Sequence, residues 1–317
     1  MLAALAWPTD CAPAALRFEE SMDAMGTTFS VVAYGEDRFK MQAAVELAFD
    51  EVRRLDQLLS NYRPESEWSE VNRHAAERPV KVSRELFDLL AACIRYSEAS
   101  QGAFDITVGP LMRVWGFYKG SGRLPHRAEI KGALARVGYR SIELDERNQT
   151  IRFRKSGVDM DPGGIGKGYA VDRMVEILRE HGIQSALMTA GSSSIYAIGV
   201  PETESRGWRI TIRHPKDANQ TVAEVYLKDE SMSTSGNYEK FFRVRNTMYS
   251  HIMDPRTGYP ADGMLSVSVI APKTLDSEAW TKPYYINGRQ WAASHKLKGS
   301  RVFLCEDRSE VACAWLQ

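Results

Sequence analysis

Hydrophobic and polar positions change period several times along the chain, and each change marks an element. Residues 17–34 alternate loosely through MGTTFSVVAYG and end at Gly35, the period-two pattern of a strand or hairpin edge. From Lys40 to Leu59 the apolar residues Val45, Leu47, Ala48, Val52, Leu55, Leu58 and Leu59 fall mostly at helical spacing. This predicts an amphipathic helix that stops before a loop from Ser60 to Ser66. Ser83 suits the N-cap of a second helix carrying Leu86, Leu89, Leu90, Cys93 and Ile94, which ends near Ser100 where Gln101-Gly102 follows. GAFDITVGPL then reads as a turn and a strand, and the glycine-bearing stretch Gly116 to Pro125 as a mobile loop. Arg127 to Val137 reads as a short helix closed by Gly138, and Ser141 to Val158 as a hairpin around Glu146-Arg147-Asn148.

The second half is richer in strands. DMDPGGIGKGYAVDRMVEILREHGI passes from turn residues into a helical pattern with Ala170, Met174, Val175, Ile177 and Leu178 facing inward. After Gly182 the runs SALMTAG, SIYAIGV, WRITIRH, VAEVYL, SMSTSG and LSVSVIAP are bounded by Gly, Pro and Asn, as in a mainly antiparallel sheet. A helix near Asp276 to Lys296 and a hairpin from Arg301 to Trp315 close the chain. There is no internal repeat and no low-complexity linker. The elements predict a single α+β domain over residues 21–317, with helices against the sheet, preceded by an N-terminal tail or leader remnant at residues 1–20.

Composition narrows the partners. With 44% apolar and 26% charged residues in 317, the chain has material for a large core. Forty-one basic residues balance forty-one acidic ones, so no global field draws it to nucleic acid, and any anion must be held by a local site. No stretch reaches the roughly 18 apolar residues of a membrane span. The opening MLAALAWPTDCAPAAL lacks the basic start, long apolar core and lipobox of a convincing secretory leader. Cys11, Cys93, Cys305 and Cys313 have no CxxC spacing, which argues against zinc; Cys305 and Cys313 can face each other across a hairpin, and the redox compartment stays undecided.

Two segments carry candidate chemistry. Asp161-Pro-Gly-Gly-Ile-Gly-Lys-Gly runs into a helix: glycine admits close backbone approach, N–H groups at a helix start favour phosphate oxygens, and Lys167 adds a point charge. It fits neither the Walker spacing nor GxGxxG, so helix packing is an equal alternative to phosphate binding. Residues 249–260, YSHIMDPRTGYP, bring His251, Asp254 and Arg256 together in a turn-forming loop. His251 can move a proton near neutral pH and Arg256 can bind a diphosphate, whereas a loop merely braced by an Asp–Arg pair needs neither role.

Six stretches in order, MGTTF, SNYRPESEWSEVNR, GAFDITVGPL, DPGGIGKGYAVD, SMSTSGNYEKFF and YSHIMDPRTGYP, resemble the signature order of the FAD:protein FMN transferase family, ApbE, over about residues 22–290. The resemblance implies an ApbE-like, T-fold-related α+β fold. It also implies cleavage of the FAD diphosphate with transfer of FMN to a Thr or Ser of an acceptor flavoprotein, release of AMP, and usually magnesium. Hydrolysis of FAD to FMN and AMP, or flavin binding and delivery without catalysis, are the alternatives. On the same basis Met25, Ala103, Phe104, Asp105, Asp161, Lys167, Ile252 and Arg256 would contact FAD. Tyr62 would stack on a ring unless it simply packs, and His251, with Lys167, would serve the reacting diphosphate. A periplasmic or membrane-anchored location also follows from the resemblance alone.

The metal implied by the resemblance would take the Gly164 carbonyl and side-chain oxygens from a late helix. There the chain departs from the family: SEAWTKPYYING puts Glu278 at an Asp position and Lys282 at a Thr position, and an ammonium offers no lone pair to a cation. Asp276 and Thr281 are nearby oxygen donors, although Asp276 is equally a candidate N-cap. A second departure is AGSSSIYAIG at residues 190–199, where serines replace a Gly-Gly turn.

Overall fold

In a computed structural model, residues 15–120, 122–237, 241–245, 247–308 and 310–317 are described. The chain opens with a hairpin of β1 (Leu16–Ala24) and β2 (Thr27–Gly35), followed by α1 (Arg38–Leu59) and α2 (Glu67–His74). The short strand β3 (Val80–Lys81) leads to α3 (Arg84–Ala99), α4 (Gly109–Val114) and α5 (Arg127–Leu134), and then to the hairpin β4 (Ile142–Asp145) and β5 (Thr150–Phe153). Helix α6 (Gly166–Glu180) precedes β6 (Ser185–Ala190), β7 (Ser194–Ile198), β8 (Trp208–His214), β9 (Asp217–Leu227) and β10 (Glu230–Gly236). The hairpin β11 (Phe241–Val244) and β12 (Thr247–Ser250), strand β13 (Met264–Ala271), α7 (Thr274–Ser294), β14 (Arg301–Glu306) and β15 (Ala312–Trp315) complete it.

Eight strands form one sheet in the order β1-β2-β6-β7-β10-β13-β14-β15, every neighbouring pair antiparallel. Near its centre every residue of β13 is buried. That is the consequence of covering both faces, and the alternation Leu-Ser-Val-Ser-Val is tolerated there because a buried serine finds a partner across the sheet, as Ser268 does with Thr234 at 2.8 Å. On one face, α1 and α6 set Ala44, Ala48, Ala170 and Met174 against Val31 and Met188. Farther along that face α7 packs Tyr284 and Tyr285 with Val267, Val269 and Val302. On the other face the twisted β8–β9 ribbon lays Trp208, Ile210 and Ile212 over Leu265, Ile270 and Phe303. A further core under α2, α3 and the three-stranded β3-β5-β4 sheet holds Trp68, Leu86, Leu90 and Phe153.

Several elements differ from the sequence expectation, each for a physical reason. Residues 16–20, assigned to the tail, are strand, paired residue for residue with β2; residues 1–14 lie outside the described residues. GAFDITVGPL holds no strand. Asp105 accepts from the Thr107 N–H at 2.8 Å and starts a turn of 3-10 helix at Ile106–Val108, and Pro110 sits in the first turn of α4, so capping overrides the β-branched run. The stretch read as a mobile loop contains a 3-10 turn at Phe117–Lys119. Helix α7 begins at Thr274, and its first N–H groups are capped from another helix: Asp172 accepts from Thr274 N at 2.6 Å and Leu275 N at 2.9 Å, so Asp276 is not the N-cap. Cys305 and Cys313 are directly opposed across β14–β15 and bonded as a disulfide. Tyr238, Glu239 and Lys240 of the SMSTSGNYEKFF stretch lie outside the described residues.

Candidate active site

The separated stretches meet through backbone hydrogen bonds. The Asp161 N–H donates to the Ile106 carbonyl at 2.7 Å and the Gly109 N–H to Asp159 at 3.1 Å, tying GAFDITVGPL to DMDPGG. Trp68 Nε1 and Asn72 Nδ2 both donate to the Met160 carbonyl, at 2.9 and 3.0 Å, while Asn72 Oδ1 accepts from Met160 N at 2.8 Å. The contribution of α2 to the site is therefore indirect: a buried Trp68 and a half-buried Asn72 clamp the residue before Asp161. Each such buried bond is worth about 1 kcal/mol net, and more is lost if one partner is removed.

The clamped segment forms one wall of a cleft of about 670 Å³. Pro162–Gly164 make a 3-10 turn capped by Asp161, whose carboxylate accepts from Gly163 N at 2.6 Å and from the Tyr118 hydroxyl at 2.6 Å. Burial, then the neighbouring Asp161, pushes the Tyr118 hydroxyl well above its ordinary range, so it stays a donor. Gly164 and Lys167 line the cleft beside this turn, and the Lys167 ammonium hydrogen-bonds Ser193 in the serine stretch after β6. None of Gly163, Gly164, Gly166 and Gly168 has a positive φ, so these glycines are there for space and not for left-handed backbone.

The other walls come from the hairpin turn and the loops. Met25 sits at φ 49° beside Gly26 at φ 69°, the left-handed pair of a two-residue hairpin turn, and Asp56 Oδ1 holds its N–H at 3.1 Å. Ala103 and Phe104 contribute apolar surface. Asp105 reaches the cleft edge, but both its oxygens are engaged by the protein: Oδ1 takes the Thr107 hydroxyl at 2.6 Å and Oδ2 the Tyr139 N–H at 2.7 Å. Burial raises its carboxyl above the ordinary value against those bonds. Tyr62 is 72% exposed at the rim and meets Tyr118 edge to face, with centroids 6.0 Å apart.

His251 and Ile252 follow β12 directly and face the cleft, with Met253 and Pro255. Arg256 does not line it. Its guanidinium grips Asp254 at 2.9 and 3.0 Å, and Asp254 also takes the Arg256 N–H, so the pair braces the loop that presents His251. Tyr118, Met112 and Phe117 also line the cleft without having been singled out in the sequence, and Ser193 joins them from the serine stretch that departs from the family pattern. The glycines flanking Tyr118 were the only local signal there, and its bond to Asp161 spans 43 positions.

The implied magnesium fits these residues poorly. Glu278 is 2% exposed, off the cleft wall, and its Oε2 accepts from Gly168 N at 2.5 Å. Asp276 takes the Tyr96 hydroxyl at 2.5 Å, and the Thr281 hydroxyl faces Ser235 at 2.8 Å and the Glu278 carbonyl at 2.7 Å. Among the described residues no three His, Cys, Asp or Glu side chains are grouped to hold a metal ion. The α7 residue that does reach the cleft is Lys282.

A covered antiparallel sheet with a large cleft, walled by a Gly-rich turn, lysines, a histidine and aromatic rings, offers both cationic groups and ring surface to a ligand. The chain belongs to the ApbE family, whose model matches residues 25–301. It is 32% identical to an FAD:protein FMN transferase of Klebsiella pneumoniae (strain 342), over 81% of this chain and 78% of that one. It is 31% identical to an FAD:protein FMN transferase of Treponema pallidum (strain Nichols), over 83% and 77%. The structure of the ApbE protein from Thermotoga maritima superposes with a TM-score of 0.85 at 30% identity, over 94% of this chain and 96% of that one. That of the apo flavinyl transferase ApbE from Pseudomonas stutzeri gives 0.84 at 26% identity, over 96% of each.

Proposed function

We infer that this chain is an FAD:protein FMN transferase that moves FMN from FAD to a Thr or Ser hydroxyl of an acceptor flavoprotein. The observation that carries the reading is the convergence of the Gly163–Gly164 turn, Lys167 and His251 on one cleft, in a chain similar throughout to named transferases. In the reaction the acceptor oxygen attacks the FMN-side phosphorus. The bond from that phosphorus to the bridging oxygen breaks, and AMP leaves with the bridging oxygen. Lys167 offsets charge on the diphosphate, and His251 takes the hydroxyl proton. Met25, Phe104 and Ile252 supply apolar surface for the rings, and Tyr62 an aromatic face at the rim. The side-chain oxygens a metal would need, those of Glu278, Asp276 and Thr281, are engaged by other protein groups. The Cys305–Cys313 disulfide supports an oxidising compartment.

Incubation of the protein with FAD and a threonine-bearing acceptor tests the reading. Transfer predicts covalent FMN on the acceptor by mass spectrometry and stoichiometric AMP. Free FMN with AMP would make it a diphosphatase, and unchanged FAD a binding protein; either result overturns transfer. His251→Ala is expected to lower turnover by about 100-fold or more with FAD affinity nearly kept, since a proton-transfer group acts mainly in the transition state.

A further inference from the structure

We propose that the Lys282 ammonium, and not a divalent cation, supplies the second positive charge on the FAD diphosphate, so that ligand binding is independent of magnesium. The proposal rests on the transferase reading only in taking FAD as the ligand. Lys282 lies one helical turn after Glu278 on α7, and its Nζ donates to the Glu278 carbonyl at 3.0 Å, which steadies the stem while the side chain lines the cleft. A methyl group built on Gly164 would stand 3.7 Å from Lys282 Cε and 3.4 Å from the Phe104 ring. The ammonium stem therefore passes directly beside the Pro162–Gly164 turn that lines the cleft.

The alternative cation would need oxygen ligands at that place. Glu278 is withdrawn from it by its bond to Gly168 N, Thr281 by Ser235, and Asp276 by Tyr96. A divalent ion cannot share a position with an ammonium, which offers no lone pair and repels it. A diphosphate diester carries two negative charges, and the cleft presents Lys167 and Lys282 beside the Gly-rich turn; because Asp56, Asp105 and Asp161 also line it, both ammonium groups are needed to hold an anion there. Lysine acts on phosphate as a point charge, so its replacement should weaken binding without reshaping the cleft.

The test is calorimetry of FAD binding to the full chain, with magnesium and with chelator, together with FMN transfer under both conditions. The expected result is the same affinity in each. Lys282→Gln should weaken metal-free binding roughly 10- to 100-fold, the range for loss of a charge-assisted contact, and Lys282→Arg should restore most of it. Thermal melts establish that the variants are folded. A parent that loses FAD in chelator, or a folded Lys282→Gln that binds as the parent does, overturns the proposal. If the parent binds FAD without magnesium through Lys282 yet labels no acceptor, the transferase reading fails and this inference stands.

Discussion

Two ends of one short segment use glycine for opposite purposes. At Gly168 an added Cβ would lie 2.6 Å from the Thr274 carbonyl oxygen and 2.8 Å from Glu278 Oε2, so the missing side chain lets α6 press against the start of α7. At Gly164, four residues earlier, an added Cβ would meet only the Phe104 ring and Lys282 at ordinary contact distances. There the missing side chain leaves the backbone open to the cleft. Open backbone and close packing therefore belong to different residues of DPGGIGKG: the packing is at Gly168, and Gly164 is the residue left accessible for the phosphate contact proposed above. The packed end also gives Glu278 a partner. A carboxylate buried against a helix-start N–H is a structural partner of Gly168, and this leaves Lys282 as the α7 side chain that enters the cleft.

Gly168→Ala should have the largest effect, because the contacts it violates are backbone and buried carboxylate and cannot swing aside. A loss of about 3 kcal/mol or more is expected, seen as a lower Tm and denaturant midpoint. A fully stable variant would mean that α6 and α7 can move apart cheaply and that the packing end of the comparison is wrong.

Asp172 probes the same junction through pH. Burial pushes its carboxyl up to about 6, against the two α7 N–H groups it accepts. Because the folded value lies above the ordinary 3.8, its contribution is fully present below that pH and is lost as pH rises through about 6. Stability should therefore decline between these values by at most about 3 kcal/mol, and Asp172→Asn should flatten that part of the curve. A parent and variant with parallel pH–Tm profiles would show that the cap is paid no electrostatic penalty.

The contrast between the two glycines also marks how far the sequence alone was legible. Period changes located α1, α3, α6 and most of the strands, since those elements bury a regular stripe or face. Helix α2 escaped because it is short and buries only Trp68, Ser69 and Val71. Asp105 and Pro110 hid a helical turn inside a run of β-branched residues that suggested a strand. Most of the cleft residues were legible as members of ordered stretches. Their partners were not: Glu278 meets Gly168 across 110 positions and Trp68 meets Met160 across 92, and no local pattern encodes such a pairing. The same limit applies to Arg256, whose charge suggested a diphosphate and whose geometry serves Asp254.

The smallest expected effect is the most specific to the ligand. Gly164→Ala places a methyl between Phe104 and Lys282 at distances of 3.4 and 3.7 Å, and Gly164 has no positive φ to forbid a side chain. The melt should move by less than about 1 kcal/mol, as for an ordinary substitution away from a packed core. FAD affinity should fall about 3- to 10-fold, because the methyl stands where the diphosphate approaches the backbone and holds it away from the turn. A parallel Gly166→Ala variant, whose Cβ would meet only Pro162 at 3.9 Å and which also lines the cleft, shows whether crowding matters at the turn alone or along the whole segment. If Gly164→Ala melts and binds FAD as the parent does, the diphosphate lies away from this turn. The open end of the segment would then be no more than a spacer between Asp161 and the packed end at Gly168.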